Sequence, residues 1–376
     1  MHGELYIHNR SEKGRLPTDP QVYRWDGKQH EWVGDHSVQP YSQHVAGKVL
    51  SVSSKAVTYD HKVLLEPQPG ASFAEHYFAN GVLFIKESNQ QLDPPLNRLI
   101  ACRWSPEVDQ SLSPEASWQF DLPIQFEFIY SFGQLDGDVL AVSNWGRIIK
   151  FNSQGWTTLR TPPMPAVSFQ VYSILTFHDR LLLGQYPTGE LYEYADSQLN
   201  LLTGWPPVLQ GVSTAAREAQ TLAIYGGDLF AGVWPWGEVW RYDSHRDKWA
   251  FAQRMFEHPL PTDSVTHPYE WETSQVDPVA NLWGQRVTGM QPHRAGLMIT
   301  TSSKSSGPWD PKFSFLSDRQ LADYGAIYFA VIPGNLAVAV NWQPEPTKLS
   351  VELVGTTMSV SQDGRPLGQV EVPEHL

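Results

Sequence analysis

Titratable side chains recur in this sequence where apolar strands begin. They stand at corresponding positions of five similar segments: Glu75 and His76, Gln125 and Glu127, Gln170 and Tyr172, Arg217, Glu218 and Gln220, and Gln285 and Arg286. A tyrosine or a histidine can remove the proton next to a carboxylate, and an arginine can stabilise the negative charge that then develops. We therefore predict Tyr172 and His76 as candidate bases of a β-elimination, with Arg217 and Arg286 as charge stabilisers.

Aromatic and amide side chains form a second set, in the segments that follow the second strand of each copy. The residues that we expect to bind substrate are Asn144, Trp145, Tyr186, Trp234, Trp236 and Trp309. Flat aromatic faces stack on sugar rings, and amides supply hydrogen bonds to hydroxyl groups. The pattern favours a carbohydrate ligand. For each tryptophan, packing between strands is the alternative role.

A third group of polar residues lies in one long connector, residues 257–281. It contains two histidines and three carboxylates, which are His258, Asp263, His267, Glu270 and Glu272. Such side chains can hold a cation, but their spacing matches no metal-binding motif. We predict no metal ligand and no cofactor here, and the need for a divalent cation is left open. The proline content and the length of the connector indicate a solvated, lid-like loop near the binding site.

These candidate residues are positioned by a repeat. Each copy reads as an apolar strand, a turn, an apolar strand, a Gly-containing turn, an aromatic strand and a large apolar residue. The clearest copies cover residues 134–159, 176–202 and 223–251, and a longer one covers residues 77–120. The glycine that opens the third strand falls at positions 146, 189 and 237, which are 43 and 48 residues apart. A period of this size is typical of propeller blades.

The copy at residues 239–251, VWRYDSHRDKWAF, carries the most specific signal. Its Tyr242, Asp243 and Trp249 resemble the tyrosine and tryptophan pattern of the kelch family of β-propellers. The glycine pair that kelch repeats place after the second strand is reduced to Ala231 and Gly232 here. The resemblance implies a fold and not an activity.

We therefore predict an all-β chain that forms a single β-propeller over residues 1–376. It has about six blades, with seven as the alternative and a β-sandwich as the competing fold. Residues 257–281 and 302–323 are predicted as long insertions near the channel mouth. Residues 347–372 are predicted as a C-terminal hairpin that closes the ring with the N-terminal strands.

Composition excludes several classes of protein. The formal net charge of −13 argues against a nucleic-acid partner, and the single cysteine, Cys102, excludes an intrachain disulfide and a multi-thiolate metal site. No segment reaches membrane-spanning length, and no signal peptide is visible. A cytoplasmic protein and a secreted or periplasmic protein without its leader both stay open.

The preferred function is a polysaccharide lyase that acts on a uronic-acid-containing glycan in a central cleft. The alternative is a non-catalytic kelch-like propeller that binds a glycan or, on the propeller face, a protein. A glycoside hydrolase ranks third. It needs two carboxylates across the sugar bond, for which Glu75, Glu127 and Glu218 are candidates. The sequence repeats no Ser-x-Asp-x-Gly-x-x-Trp box, which sialidase-like propellers carry.

Overall fold

The computed structural model describes residues 5–8, 22–26, 31–35, 42–107, 112, 117–164, 168–293, 296–304, 310–331, 334–341 and 345–372. Within these ranges the regular secondary structure is almost entirely β-strand. Two helices of five residues each, α1 (Glu270–Ser274) and α2 (Asp318–Ala322), and the 3₁₀ turns Pro311–Phe313 and Asp323–Gly325 are the helical segments. No helix in the described ranges has the length and apolar character needed to cross a bilayer.

The strands form eight small sheets, and we refer to each sheet by its first and last strand. The first four contain β1 (Tyr6–His8), β2 (Val22–Asp26), β3 (Glu31–Gly34); β4 (Ser42–Val45), β5 (Lys48–Val52), β6 (Val57–Tyr59), β7 (Lys62–Leu65); β8 (Ser72–Ala79), β9 (Val82–Asn89), β10 (Leu96–Arg103), β11 (Trp118–Asp121); and β12 (Ile129–Leu135), β13 (Asp138–Ser143), β14 (Ile148–Asn152), β15 (Gly155–Arg160).

The other four sheets follow in chain order. They contain β16 (Gln170–Phe177), β17 (Arg180–Tyr186), β18 (Leu191–Ala195), β19 (Gln198–Leu202); β20 (Glu218–Tyr225), β21 (Asp228–Trp234), β22 (Glu238–Asp243), β23 (Lys248–Arg254); β24 (Arg286–His293), β25 (Gly296–Ser302), β26 (Ile327–Ala330); and β27 (Leu349–Val354), β28 (Thr357–Gln362), β29 (Arg365–Glu371).

Every sheet is an antiparallel meander in which neighbours in sequence are neighbours in space. Tight turns set this topology. Asn80 and Gly81 join β8 to β9 with φ angles of 52° and 71°, and Asp363 and Gly364 join β28 to β29 with φ angles of 50° and 80°. Two consecutive positive φ values match the twist of the flanking strands, which is why Asn-Gly and Asp-Gly occupy such hairpins.

Two compact units divide the chain. The first unit comprises residues 1–205 with 306–310, and the second comprises residues 206–305 with 311–376. In each unit apolar side chains pack between consecutive sheets. In the first, Val142 and Ile148 contact Val171 and Leu183, and in the second, Val239 belongs to a cluster with neighbouring-sheet residues such as Val287. Each of these sheets buries its apolar face only by packing on the next one.

The predicted fold class, an all-β chain of propeller type built from repeated sheets, is confirmed. The number of blades, the closure of a ring and the single domain over residues 1–376 stay predictions. One segment differs in detail from expectation. Residues 349–371 form three strands where a hairpin was expected, because β29 folds back on β28. Residues 42–65 form a four-stranded sheet of their own.

Candidate functional site

The first strand of each sheet begins beside the end of the second strand, as the repeat predicts. Gln170 lies opposite Tyr186 in sheet β16–β19, and Glu218 lies opposite Trp234 in sheet β20–β23. Antiparallel pairing therefore brings Gln170 beside Tyr186 and Glu218 beside Trp234, whereas His76 lies within β8, opposite Ile85, and not at the strand start.

A β-bulge recurs one to three residues into these strands. The register shifts at one residue of the first strand in five sheets, which are Glu75, Tyr130, Tyr172, Gln220 and Thr288. A bulge leaves its extra residue outside the ladder and re-aims the side chain. The side chains of the five bulge residues are therefore re-aimed relative to their strands, and among them Gln220 is buried whereas Tyr130 is 38% exposed.

Buried ion pairs hold the strand starts to the following loop. In sheet β12–β15, Arg147 Nε lies 2.9 Å from Glu127 Oε1, and both side chains are buried. In sheet β20–β23, Arg217 Nη2 lies 3.6 Å from Glu238 Oε2, and Arg217 donates to the Pro207 carbonyl oxygen at 2.7 Å. Arg217 is 2% exposed. It is thus a packed side chain whose charge faces a carboxylate.

The other candidate arginine has a similar partner. Arg286 Nη2 lies 3.4 Å from Glu218 Oε1, and Glu218 is fully buried. The structure therefore brings Arg286 and Glu218 together, as an ion pair. A carboxylate this close offsets the positive charge that an anionic transition state would need.

The two candidate bases belong to the first unit. Tyr172 donates its hydroxyl proton to Gln170 Oε1 at 2.9 Å. His76 is half-buried, and burial lowers the pKa of its imidazole, so that the ring is neutral at pH 7. The neutral His76 ring can accept a proton directly. Tyr172 must first lose its hydroxyl proton before it can act as a base.

Two of the predicted binding residues are completely buried. Trp234 and Trp236 are 0% exposed. Lys304 Nζ lies 4.6 Å from the ring centroid of Trp234, and the His267 ring lies 4.9 Å from it. Arg254 lies 5.4 Å from the Trp236 ring. These two tryptophans take the packing role, because a ligand would have to displace their neighbours to reach either face.

The remaining binding candidates lie in the first unit or outside the described residues. Trp145 and Tyr186 are half-buried, and Trp145 forms an isolated parallel bridge with Phe169. Asn144 accepts a hydrogen bond from the Phe128 backbone N–H at 2.9 Å through its Oδ1. This hydrogen bond orders the chain that leads into β12. Trp309 lies outside the described residues.

Phe128 and Tyr130, which the sequence analysis did not select, lie near Tyr172, which it selected as a base. We call Phe128, Tyr130 and Tyr172 the aromatic row. The rings of Phe128 and Tyr130 are stacked with centroids 5.8 Å apart, and Tyr130 contacts Tyr172 edge-on at 4.9 Å. Tyr130 is 38% exposed, and Phe126, two residues before the row, is 63% exposed.

The row joins two bulge residues from neighbouring sheets, Tyr130 and Tyr172, with the amide of Gln170 hydrogen-bonded beside it. A signal for it exists in the sequence. Residues 126–130 read FEFIY, in which aromatic residues alternate, although only Ile129 and Tyr130 of them belong to β12 and Phe126 lies in a turn.

The connector at residues 257–281 is held by hydrogen bonds within the second unit. His258 Nδ1 lies 2.6 Å from Tyr269 Oη, and His258 Nε2 lies 3.1 Å from Asp323 Oδ2. His267 Nδ1 lies 3.0 Å from Glu270 Oε2. Across the described ranges, no group of three or more His, Cys, Asp or Glu side chains is placed to hold a metal ion.

No protein-family model matches this chain, and no curated protein matches it. Solved structures do. The extracellular domain of the putative hybrid two component system BT4673 from B. thetaiotaomicron is 12% identical, with a TM-score of 0.49 over 98% of this chain and 45% of that one. BamB from Moraxella catarrhalis is 10% identical, with a TM-score of 0.41 over 88% and 87%. YCF48 bound to D1 peptide is 12% identical, with a TM-score of 0.37 over 87% and 89%.

These solved structures are propeller-like. The chain spans less than half the length of the two BT4673 structures that it matches. At these identities, and with TM-scores below 0.5, the similarities carry no argument about ligand, partner or activity.

Proposed function

We propose that this protein is a non-catalytic glycan-binding propeller, and that the aromatic row is its contact surface for sugar rings. The observation that carries the proposal is the position of Tyr130 and Tyr172. They are in ring contact with each other, stand at bulges of two neighbouring strands and have the Gln170 amide beside them. Aromatic faces with an adjacent amide can stack on a pyranose and hydrogen-bond its hydroxyls.

The charged groups at this end of the first unit favour a neutral glycan. Glu127 and Arg147 compensate each other in a buried pair, as do Lys86 and Glu75 at 3.6 Å. Pairs of this kind contribute little net field to a ligand. We therefore expect neutral oligosaccharides to bind better than uronates of the same length.

Catalysis by β-elimination is the alternative proposal. It draws support from His76, whose lowered pKa leaves an imidazole able to accept a proton at pH 7. The ion pairs of Arg217 and Arg286 weaken it, because both guanidinium groups face buried carboxylates. A kelch-like repeat, suggested by Tyr242 and Trp249, is compatible with both proposals.

Titration with a panel of neutral and uronic-acid hexasaccharides, followed by calorimetry, tests glycan binding. We expect Tyr130→Ala and Tyr172→Ala each to weaken binding about fivefold, since one aromatic stacking contact is worth roughly 1 kcal/mol. Tyr172→Phe keeps the ring and removes the hydroxyl, and we expect it to retain binding within about threefold. Trp271→Ala, which removes an exposed aromatic ring elsewhere, is the matched control and should bind like the parent.

The same samples separate binding from elimination. Incubation with uronate polymers, followed by ultraviolet absorbance, reports unsaturated products. The proposal expects none. Product formation that Tyr172→Phe abolishes would replace it with the lyase, and unchanged glycan affinity in Tyr130→Ala and Tyr172→Ala would remove the aromatic row from the binding site.

A further inference from the structure

A cavity of about 260 Å³ lies between sheets β8–β11 and β12–β15 of the first unit. Part of its lining comes from turns, including Asn80 between β8 and β9, Gly137 between β12 and β13, and Ser153 between β14 and β15. These turns stand at the end of each sheet opposite to the starts of β8 and β12. The cavity is therefore separate from the aromatic row and does not depend on glycan binding.

The walls of the cavity are aromatic. Phe84 and Phe151 are buried, with ring centroids 5.2 Å apart at 80°, and Trp118 meets Phe151 at 5.4 Å and 75°. These edge-to-face contacts between the wall residues are the arrangement that aromatic groups prefer. A planar ring inserted here can extend the same edge-to-face pattern, which an aliphatic chain cannot do.

The rim of the cavity carries a cation. The guanidinium of Arg103 lies 5.1 Å from the centroid of the Trp118 ring, and Arg103 is exposed. None of the eleven lining residues is acidic. Asn152, also on the lining, is fixed by donating to Asp138 Oδ1 at 3.0 Å. The rim thus offers a positive charge and amide groups beside an apolar interior, which suits an anionic substituent on an apolar body.

The volume sets the size of the ligand. An apolar cavity of roughly 150 Å³ in a protein holds benzene. A cavity of about 260 Å³ therefore has room for a two-ring aromatic group or for one ring with a short side chain. Burial of such a ring gives a favourable free energy of about 25 cal/mol per Å² of apolar surface removed from water.

We propose that this cavity binds a small aromatic carboxylate, with the ring between Phe84, Phe151 and Trp118 and the carboxylate against Arg103. The walls select a planar apolar body, and the arginine selects its negative charge. The site lies between two sheets of one unit, so that ligand binding also ties those two sheets together.

Calorimetric titration of the full chain with 2-naphthoate, and with the neutral 2-naphthalenemethanol, tests the proposal. We expect 2-naphthoate to bind about tenfold more tightly than the alcohol, as one charge-assisted contact contributes about 1.4 kcal/mol. Arg103→Gln should remove that difference and leave the affinity for the alcohol unchanged. Arg180→Gln is the matched control, because Arg180 also lies over a tryptophan, at 5.3 Å from the Trp205 ring.

A second variant tests the location without changing charge. Val82 lines the cavity and is half-buried, so Val82→Phe places a ring in the space that the ligand would take. It should abolish binding of both probes while thermal unfolding shows an intact fold. Absence of 2-naphthoate binding at 1 mM, an unchanged preference in Arg103→Gln, or full binding in Val82→Phe would each overturn the proposal. Binding of a peptide with a C-terminal tryptophan, but of neither free probe, would also overturn it.

Discussion

Sheets β12–β15 and β20–β23 use the same ion pair with the charges exchanged. In the first, the acid stands at the strand start and the base follows the loop glycine, as Glu127 and Arg147. In the second, Arg217 stands at the strand start and Glu238 follows the glycine. A catalytic or ligand-binding group would need a defined sign. Exchange of the signs therefore indicates that the pair serves to hold the strand start against the loop.

The bulge residues, in contrast, differ in chemical type from sheet to sheet. Tyr130 and Tyr172 are aromatic and contact each other, whereas Glu75 in the first unit is acidic and Gln220 and Thr288 in the second are polar. The backbone device is the same, but the side chain changes in type. Side chains of different chemical types therefore occupy the bulges, whereas the ion pairs keep one structural role in both sheets.

The largest expected effect comes from breaking an ion pair. Arg217→Met leaves the buried carboxylate of Glu238 without its cation, and we expect a loss of roughly 3–5 kcal/mol in the free energy of unfolding. Burial already raises the pKa of Glu238, so the loss should be smaller at pH 4 than at pH 7. Urea denaturation followed by tryptophan fluorescence measures it.

The double variant Arg217→Met, Glu238→Gln is the control for this experiment. It removes both charges and keeps an acceptor for Trp240 Nε1, which donates to Glu238 Oε2 at 2.7 Å. We expect it to recover most of the lost stability. Arg147→Met should lower the free energy of unfolding by a similar amount, because it leaves the buried carboxylate of Glu127 without its cation. A loss below about 1 kcal/mol in Arg217→Met would show that the pair does not hold the sheet.

Much of this architecture could be predicted from the sequence, because glycines and alternating apolar residues determine it locally. The glycines at 146, 189 and 237 all adopt positive φ, between 65° and 79°, at corresponding loops. That periodicity identified the strand starts. It could not identify the partners of Arg217 or Arg286, because Glu238 and Glu218 lie on other strands and a local pattern does not show which of these side chains meet.

The candidate site was harder to predict for a physical reason. Trp234 and Tyr186 stand at equivalent positions, yet Trp234 is fully buried under Lys304 and His267. Burial there comes from residues far along the chain, which no local pattern reveals. Of the aromatic row, the sequence analysis selected only Tyr172, and it selected that residue as a base. Phe128 and Tyr130 were missed because Gln125 and Glu127 were chosen there as polar residues, whereas the bulge determines which side chain is re-aimed.

The loop glycines provide the second prediction. A Cβ at Gly237 would lie 2.5 Å from a ring carbon of Phe256, and a Cβ at Gly146 would lie 2.5 Å from one of Phe169. We expect Gly237→Ala and Gly146→Ala to cost about 3 kcal/mol each, from the left-handed backbone and from overpacking. Gly227→Ala, at φ +87° with open space around it, isolates the backbone part and should cost about 1–2 kcal/mol.

Thermal and urea unfolding of the three variants measure these costs. Equal losses at Gly237 and Gly227 would mean that the loops yield to the added methyl group. The close packing of Gly237 on Phe256 would then not contribute to the free energy of unfolding.

The smallest effect concerns the connector of the second unit, for which the first unit has no counterpart among the described residues. Burial is the largest cause that lowers the pKa of His258, with Arg254 acting in the same direction and Asp323 and Glu257 opposing it. The neutral ring donates from Nε2 to Asp323 and accepts from Tyr269 at Nδ1, an assignment that follows from the partners.

A lowered pKa in the folded state means that the unfolded connector binds more protons near pH 6. The stabilisation by His258 is therefore complete above its ordinary pKa of 6.5 and is lost as the pH falls through the lower value of the folded state. We expect hydrogen exchange of residues 257–281 to accelerate between pH 7 and pH 5, after correction for the intrinsic rate, while sheet β20–β23 stays protected. His258→Asn should remove most of this pH dependence, and His267→Gln only a part, because His267 also has a pKa lowered mainly by burial. An unchanged profile in His258→Asn would show that another group controls the connector.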